Sequence, residues 1–514
     1  MTPPPEHPGT DHLGTGQVAM PPPECPAHAA VHAAAPASAL ADLFGPGHEA
    51  DPKGFYERLR AEHGAVAPVR VAGDLPAWLL LGYRENLEVA RTPSRFSRDS
   101  RHWGDWREGR VAPDSPLLPV VGWQPMCTFA DGAEHERLRT ALTESMDRVD
   151  RRGMRRHVTR FTNQLVEKFA TDGHADLVTE FAEQLPMLVL TQLLGMPDED
   201  GPRLVEASRD LMKGTETAIS SNEYVIRTLE NLVARKRAEP GQDLASWLLS
   251  HPSGLTGEEI VQHLRLVLLT GNETTTNLIA NTLLTVLTDP RFRASLAGGQ
   301  MTLPDAIEHV LWNEPPLAVI PGRWATGDTE LAGRQIKAGD MLLLGLAAGN
   351  IDPAIRPEIG APMYGNRSHL AFSGGPHECP GQDIGRAITD TGIDALLLRL
   401  PDLRPAVLET ELRWTVSWVS RRLVSLPAEF TPRQGDSDTV ETETGLLAPD
   451  FLARYMALPD RAEPADPADP AELSTTPAPP RAAVAEPGKR PFRARSWWRS
   501  LWRGLRPGPP APPR

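Results

Sequence analysis

The stretch Ala371-Phe372-Ser373-Gly374-Gly375-Pro376-His377-Glu378-Cys379-Pro380-Gly381 constrains this chain more than any other, because it sets one cysteine in a loop of glycine and proline. Glycine lets backbone amides approach a sulfur closely and proline fixes the loop's path, so a thiolate here is held pre-formed and hydrogen-bonded from the main chain. That setting points to an iron ligand. An isolated cysteine is otherwise a small buried hydrophobe, and spacing alone divides the two readings evenly. Zinc is a weaker rival: His377 and Cys379 offer two ligands, while Cys25 and Cys127 lie far away in sequence and form no CxxC pair.

A chain of 514 residues can bury a large core. Its formal net charge of −14 argues against general nucleic-acid binding, and its 52 prolines, crowded at both ends, point to disordered tails around a folded centre. The three scattered cysteines imply no disulfide framework and hence a reducing, cytoplasmic setting. The start, Met1-Thr2-Pro3-Pro4-Pro5, does not read as a signal peptide. The longest apolar stretch, residues 264–287, is broken by Arg265, Asn272, Glu273, Asn277 and Asn281, which would be costly in lipid.

Residues 1–40 lack hydrophobic periodicity and read as a disordered leader. Helical pattern begins at Pro52, and two β-like runs follow, around Val66 to Val71 and Trp78 to Leu81, separated by Gly73-Asp74. His135 and Arg139 stand four apart on one face of a predicted helix, an arrangement suited either to a carboxylate partner or to a solvated basic face. Arg148, Arg151, Arg152, Arg155, Arg156 and Arg160 read most simply as a solvated face, with docking of an acidic electron donor as the alternative. Thr256, with Glu259 three residues on, caps a long helix predicted to run to about Leu287 before Asp289-Pro290. Its middle carries the polar cluster Thr270-Gly271-Asn272-Glu273-Thr274-Thr275, where a Thr274 hydroxyl bonded to the Thr270 carbonyl would open the helix locally.

The segment Phe372-Ser373-Gly374-Gly375-Pro376-His377-Glu378-Cys379-Pro380-Gly381 resembles the haem-binding loop of the cytochrome P450 family, Phe-Gly-x-Gly-x-His-x-Cys-x-Gly, with Ser373 in place of a glycine. The resemblance spans about residues 45–430 and implies a mainly α chain with small β-sheets, its haem held between a long distal helix and the proximal cysteine loop. Cys379 is then the iron ligand, and haem b the cofactor. His135 and Arg139 match the family's His-x-x-x-Arg and, with Arg323 and His377, are implied to hold the haem propionates. Residues 270–274 resemble the distal (Ala/Gly)-Gly-x-(Asp/Glu)-Thr motif, with Thr270 replacing the small first residue. Glu273 and Thr274 are thereby implied to guide protons during dioxygen activation.

One helix departs from the family pattern. In Ile307-Glu308-His309-Val310-Leu311-Trp312-Asn313-Glu314-Pro315-Pro316, His309 and Trp312 occupy the acid and arginine positions of the family's Glu-x-x-Arg, and Glu308 falls one residue early, about 100° around the helix. Losing one partner of a buried ion pair costs ~3–5 kcal/mol, while replacing both is nearly neutral, so the fold is permitted and turnover is placed in question. Arg367 is the candidate structural arginine of the irregular stretch before the cysteine loop.

The expected organisation is a leader over 1–40, a haem-thiolate domain over 41–430, an acidic proline-rich linker over 431–488 and a basic aromatic segment over 489–514. In that segment Trp497, Trp498, Leu501, Trp502 and Leu505 share one helical face among arginines, which reads as an interfacial helix on anionic lipid or as a partner-binding tail, with residues 489–506 making the contact. The function implied by resemblance is a monooxygenase oxidising an apolar organic molecule, cytoplasmic with peripheral membrane contact through the tail. No flavin or nicotinamide fingerprint is present, so electrons are expected from a separate ferredoxin-type partner. The alternative is a non-catalytic haem-binding regulatory or interaction protein recruited to a membrane-associated complex through its C-terminal tail.

Overall fold

Apolar residues at period two near the start and at helical period thereafter divide the chain between a small sheet and a set of long helices. The computed structural model describes residues 40–433 apart from 44–45, 114, 116, 214–216, 290–291, 293–301, 359–362, 364 and 418. The leader, nearly all of the acidic linker and the basic aromatic segment lie outside the described residues.

The main sheet has six strands: β1 (Ala41–Asp42), β2 (Val66–Val71), β3 (Leu75–Leu80), β4 (Phe96–Ser97), β5 (Val319–Ala325) and β6 (Met341–Gly345). Their order across the sheet is β1-β2-β3-β6-β5-β4. Strands β2 and β3 pair antiparallel from Val66 opposite Leu80 to Val71 opposite Leu75, and Gly73 and Asp74 between them take the positive φ that a tight turn requires. Every residue of β6 is buried, as expected of a central strand covered on both faces. A register shift between Ile320 and Arg323 interrupts β5 against β6. This bulge at Pro321-Gly322 turns the Arg323 side chain out of simple alternation.

The principal helices are α1 (Pro52–His63), α2 (Gly132–Asp147), α3 (Arg151–Glu167), α4 (Leu185–Leu194), α5 (Asp200–Lys213), α6 (Ala218–Ala238), α7 (Gly257–Thr288), α8 (Leu303–Asn313) and α9 (Gln382–Arg399). Helix α7 has 32 residues, about 48 Å at 1.5 Å per residue. The predicted capping box is formed: Thr256 Oγ1 accepts from the Glu259 amide and Glu259 accepts from the Thr256 amide. The helix packs on α4, α6, α8 and α9, so most of its length is buried. That burial explains an apolar stretch long enough to resemble a span yet carrying asparagines. Among the described residues no helix is long and apolar enough to cross a membrane.

The largest core cluster joins α3, α4, α7 and α9 through Val158, Phe161, Leu185, Val189, Ile279, Leu283 and Leu396. A second cluster lies under the main sheet around Tyr56, Val69, Trp103, Trp324 and Leu343. Between α7 and the loop that leads into α9 the side chains leave a cavity.

Candidate active site

Cys379 lies just before α9, whose N-cap is Gly381. The Cys379 amide donates to the Phe372 carbonyl at 3.0 Å, closing the loop on itself. Burial pushes the thiol's pKa up, opposed by a hydrogen bond from the Gly381 amide and by Arg139 and Arg386. A Cβ on Gly375 would come within 2.5 Å of the Ala90 carbonyl, and its φ is +70°, so only glycine fits there. Ser373 has φ +61° and ψ −150°, a conformation otherwise reserved for glycine.

A cavity of about 530 Å³ separates this loop from α7, its walls mostly apolar. Cys379 lines one side, and Thr270, Gly271, Thr274 and Thr275 line the other. Thr274 Oγ1 donates to the Thr270 carbonyl at 2.9 Å, the bond expected from the sequence. Glu273 turns away from the cavity to Arg422, 3.7 Å from Oε2, and accepts from Asn277 at 3.4 Å. Burial raises the Glu273 pKa and Arg422 opposes it, the net direction being upward, which favours a carboxyl that holds its proton.

The cationic residues gather at the cavity's edge. Arg323 is 2 % exposed, and its Nε and Nη1 have no hydrogen-bond partner. Burial, with Arg98 nearby, drives its guanidinium well below the usual range. His135 stacks on His377 with centroids 4.1 Å apart, and its Nε2 is buried without a partner. His377 donates to Asp131 at 3.1 Å, while burial lowers its pKa to about 3. Arg139 reaches the carbonyl of Glu378, next to the cysteine.

This set of cations faces one carboxylate, Asp131, whose own pKa burial raises but which hydrogen bonds from His377, Ser97 and the Arg98 amide hold below the usual range. Positive charge so buried is costly unless an anion is seated against it. The unpartnered Arg323 nitrogens and His135 Nε2, close to a thiol in a mostly apolar cavity, fit a haem whose propionates the basic residues would hold and whose iron the sulfur would ligate. Among the described residues no group of three or more His, Cys, Asp or Glu is placed to hold a metal by itself.

No family model matches the chain. It is 34% identical over 406 residues to the vitamin D(3) 25-hydroxylase of Pseudonocardia autotrophica, covering 76% of this chain and 97% of that one. Against the cytochrome P450 monooxygenase PikC of Streptomyces venezuelae it is 32% identical over 397 residues, 74% of this chain and 91% of the relative. The chain belongs to the cytochrome P450 family. Among solved structures, the P450 CYP154C4 from Streptomyces sp. W2061 superposes with a TM-score of 0.68 at 29% identity, covering 76% of this chain and 97% of that one. CYP154A1 from Streptomyces coelicolor A3(2) gives 0.66 at 28%, covering 76% and 99%. The mainly helical P450 fold read from the loop is therefore the fold of this chain. Its named relatives are hydroxylases and monooxygenases acting on small molecules, and the chain is an oxidoreductase of that class.

Within this P450 the departure at α8 takes an unexpected form. Glu308 is 3 % exposed and turned toward the cysteine loop. Arg386 of α9 donates to it through Nε at 2.6 Å and Nη2 at 3.2 Å, and His369 Nε2 donates at 2.9 Å. Arg367 Nε approaches Glu308 to 3.6 Å from an exposed position. Arg386 also covers the Phe372 ring at 4.5 Å. Trp312, at the family's arginine position, donates its indole N–H to the Asn366 carbonyl at 2.8 Å. His309 stacks against Phe292 at 4.9 Å. Thus an acid one position early ties α8 to His369 and Arg386, which flank the cysteine loop, and His309 and Trp312 stand where the family has its acid and arginine.

Two site residues carried no sequence signal. Arg98 is buried, donates to the carbonyls of Thr128, Pro321 and Gly322, and thereby holds the bulge that presents Arg323. Asp131 collects Ser97, the Arg98 amide and His377. The arginines of α3 mostly meet acids: Arg151 with Asp383, Arg155 with Asp390, Arg156 with Asp150 and Arg160 with Asp198. That arrangement matches the solvated-face reading.

Proposed function

We propose that residues 41–430 form a haem b monooxygenase domain in which Cys379 ligates iron, with the leader and linker outside it. The observation that carries this reading is the buried, unpartnered guanidinium of Arg323 in the cavity that Cys379 and Thr274 line from opposite sides, with the unpartnered His135 Nε2 stacked behind His377. Haem bound there supplies dioxygen activation, and thiolate ligation favours O–O cleavage. Arg139 and Arg323 would neutralise the propionates, and His135 and His377, whose pKa values burial lowers, would orient them. Arg98 holds the backbone under Arg323. Glu273, whose pKa burial raises against the pull of Arg422, is the proposed proton donor by way of the Thr274 hydroxyl, refilled through the Arg422 side of α7.

The mostly apolar walls suit an apolar organic substrate held against α7. A vitamin and a naphthoate appear in the names of relatives, in keeping with compact ring systems. Electrons come from a separate ferredoxin-type donor, in a cytoplasmic setting, with the segment at 489–506 offering contact to anionic lipid or a protein. The test is to supply the haem-loaded chain with ferredoxin, ferredoxin reductase, NADPH, labelled dioxygen and a panel of apolar ring compounds. Products carrying one oxygen atom from dioxygen are expected. Electron uptake without any oxygenated product would overturn the reading.

A further inference from the structure

Besides the basic residues gathered beside Cys379, the cavity wall carries Arg265, for which no ion pair is found among the described residues. Arg265 stands on α7 among the residues lining the cavity, on the same helix as Thr274 and nine residues before it, about 13 Å along the axis. Its Nη1 donates to Gln124 Oε1 at 3.3 Å and its Nη2 to Asn222 Oδ1 at 3.2 Å, both long bonds to neutral amides. The Nε is buried and has no partner. A guanidinium carries five N–H donors, so two bonds leave three unused. No ion pair joins Arg265 to any described carboxylate, and burial alone sets the direction of its pKa, downward. Every arginine of α3 that pairs does so with an acid at the surface, whereas Arg265 is enclosed and meets only amides.

A charge kept in such a place costs free energy unless something anionic completes it. Hydrogen bonds to Gln124 and Asn222 fix the guanidinium's plane and leave three of its donors unused on a side chain that lines the cavity. We propose that Arg265 is a specificity-determining residue that binds the carboxylate of an otherwise apolar substrate, whose body runs along α7 toward Thr274. This rests on the monooxygenase reading above and adds the chemical class of the substrate. A planar guanidinium with paired donors matches a carboxylate in two-point contact, which an alcohol, amide or ester cannot reproduce.

A purely structural Arg265, tying the loop at Gln124 to α6 at Asn222, would affect stability and leave ligand preference alone. The experiment therefore reads preference. The haem-loaded full chain is titrated calorimetrically with apolar carboxylic acids, each paired with its own primary amide: decanoate, tetradecanoate, a naphthoate and a steroid acid. In the wild type at least one acid is expected to bind about ten- to a hundredfold tighter than its amide, the range of one charge-assisted pair. Arg265→Gln should abolish that difference with the amide's affinity unchanged, and Arg265→Lys should keep part of it. No preference for any acid, including no binding of either member of a pair, overturns the proposal, as does a preference that survives Arg265→Gln. The reduced, carbon-monoxide-bound spectrum of each preparation is recorded alongside. A red-shifted thiolate band without acid preference rejects the role of Arg265 alone, and absence of the band rejects the haem reading beneath it.

Discussion

Removing Glu308 should show how this P450 replaces the missing Glu-x-x-Arg pair. The carboxylate is 3 % exposed and receives three donors, two from Arg386 and one from His369. In Glu308→Ala the Arg386 guanidinium, whose side chain is 12 % exposed, keeps its 3.2 Å bond to Gln382 and its 3.4 Å contact with His369 Nε2 but no carboxylate. Breaking one side of a buried pair typically costs ~3–5 kcal/mol, whereas removing both partners is far less costly. Glu308→Ala should therefore lose about 3–5 kcal/mol, and the Glu308→Ala/Arg386→Ala double variant should recover about 2–3 kcal/mol of the summed single losses as coupling. Urea unfolding followed by circular dichroism on all four proteins gives the cycle. The same cycle read by haem retention on desalting tests the link to the site, since Arg386 covers Phe372 and Phe372 accepts the Cys379 amide. Additive losses within about 0.5 kcal/mol would refute the brace, because independent sites add to that tolerance.

Three further outcomes follow from the geometry. Ser373→Gly should stabilise the chain by about 1 kcal/mol, the relief of a left-handed serine at ~1–3 kcal/mol less the extra unfolded-state entropy of glycine, and a destabilised variant in the same urea assay would count against the strain. Burial raises the Glu308 pKa, but bonds from His369 and Arg386 outweigh it and hold the folded value below 4.5, so the contribution of Glu308 is complete above pH about 4.5 and is lost as pH falls through the folded value. Stability measured from pH 7 to 3 should drop in that window, and Glu308→Gln should flatten the drop; an unchanged slope would sink the assignment. Glu273→Gln keeps the side chain's size and removes its proton, so product formation should fall by about 10²-fold with substrate affinity kept, and an undiminished rate would remove Glu273 from the proton path.

The parts of the site that were legible in sequence are those written contiguously. Residues 371–381 carry glycines where positive φ and close approach demand them, and the Thr256–Glu259 box with the run to Asp289 marks α7 to within a residue. His135 and Arg139 could be paired because four residues of helix place them on one face. What escaped depends on long-range closure. Glu308 meets His369 and Arg386 across 61 and 78 residues, so an alignment that fixed on positions 309 and 312 could not see that an acid 100° around the helix reaches the same loop from its other side. Arg98 is invisible for the same reason, two of its three carbonyl acceptors lying more than 200 residues away. Arg265 was visible only as an interruption of an apolar run. Its enclosure by Gln124 and Asn222 exists only once the helices have packed.

The central claim is that Cys379 binds haem iron as a thiolate, and the reduced, carbon-monoxide-bound absorption spectrum of the purified chain tests it most directly. Wild type should give the red-shifted band of thiolate-ligated haem, and Cys379→Ala should lose that band while the cations at Arg323 and His135 still allow haem to be taken up. A wild type lacking the band, or a Cys379→Ala protein retaining it, would contradict the account.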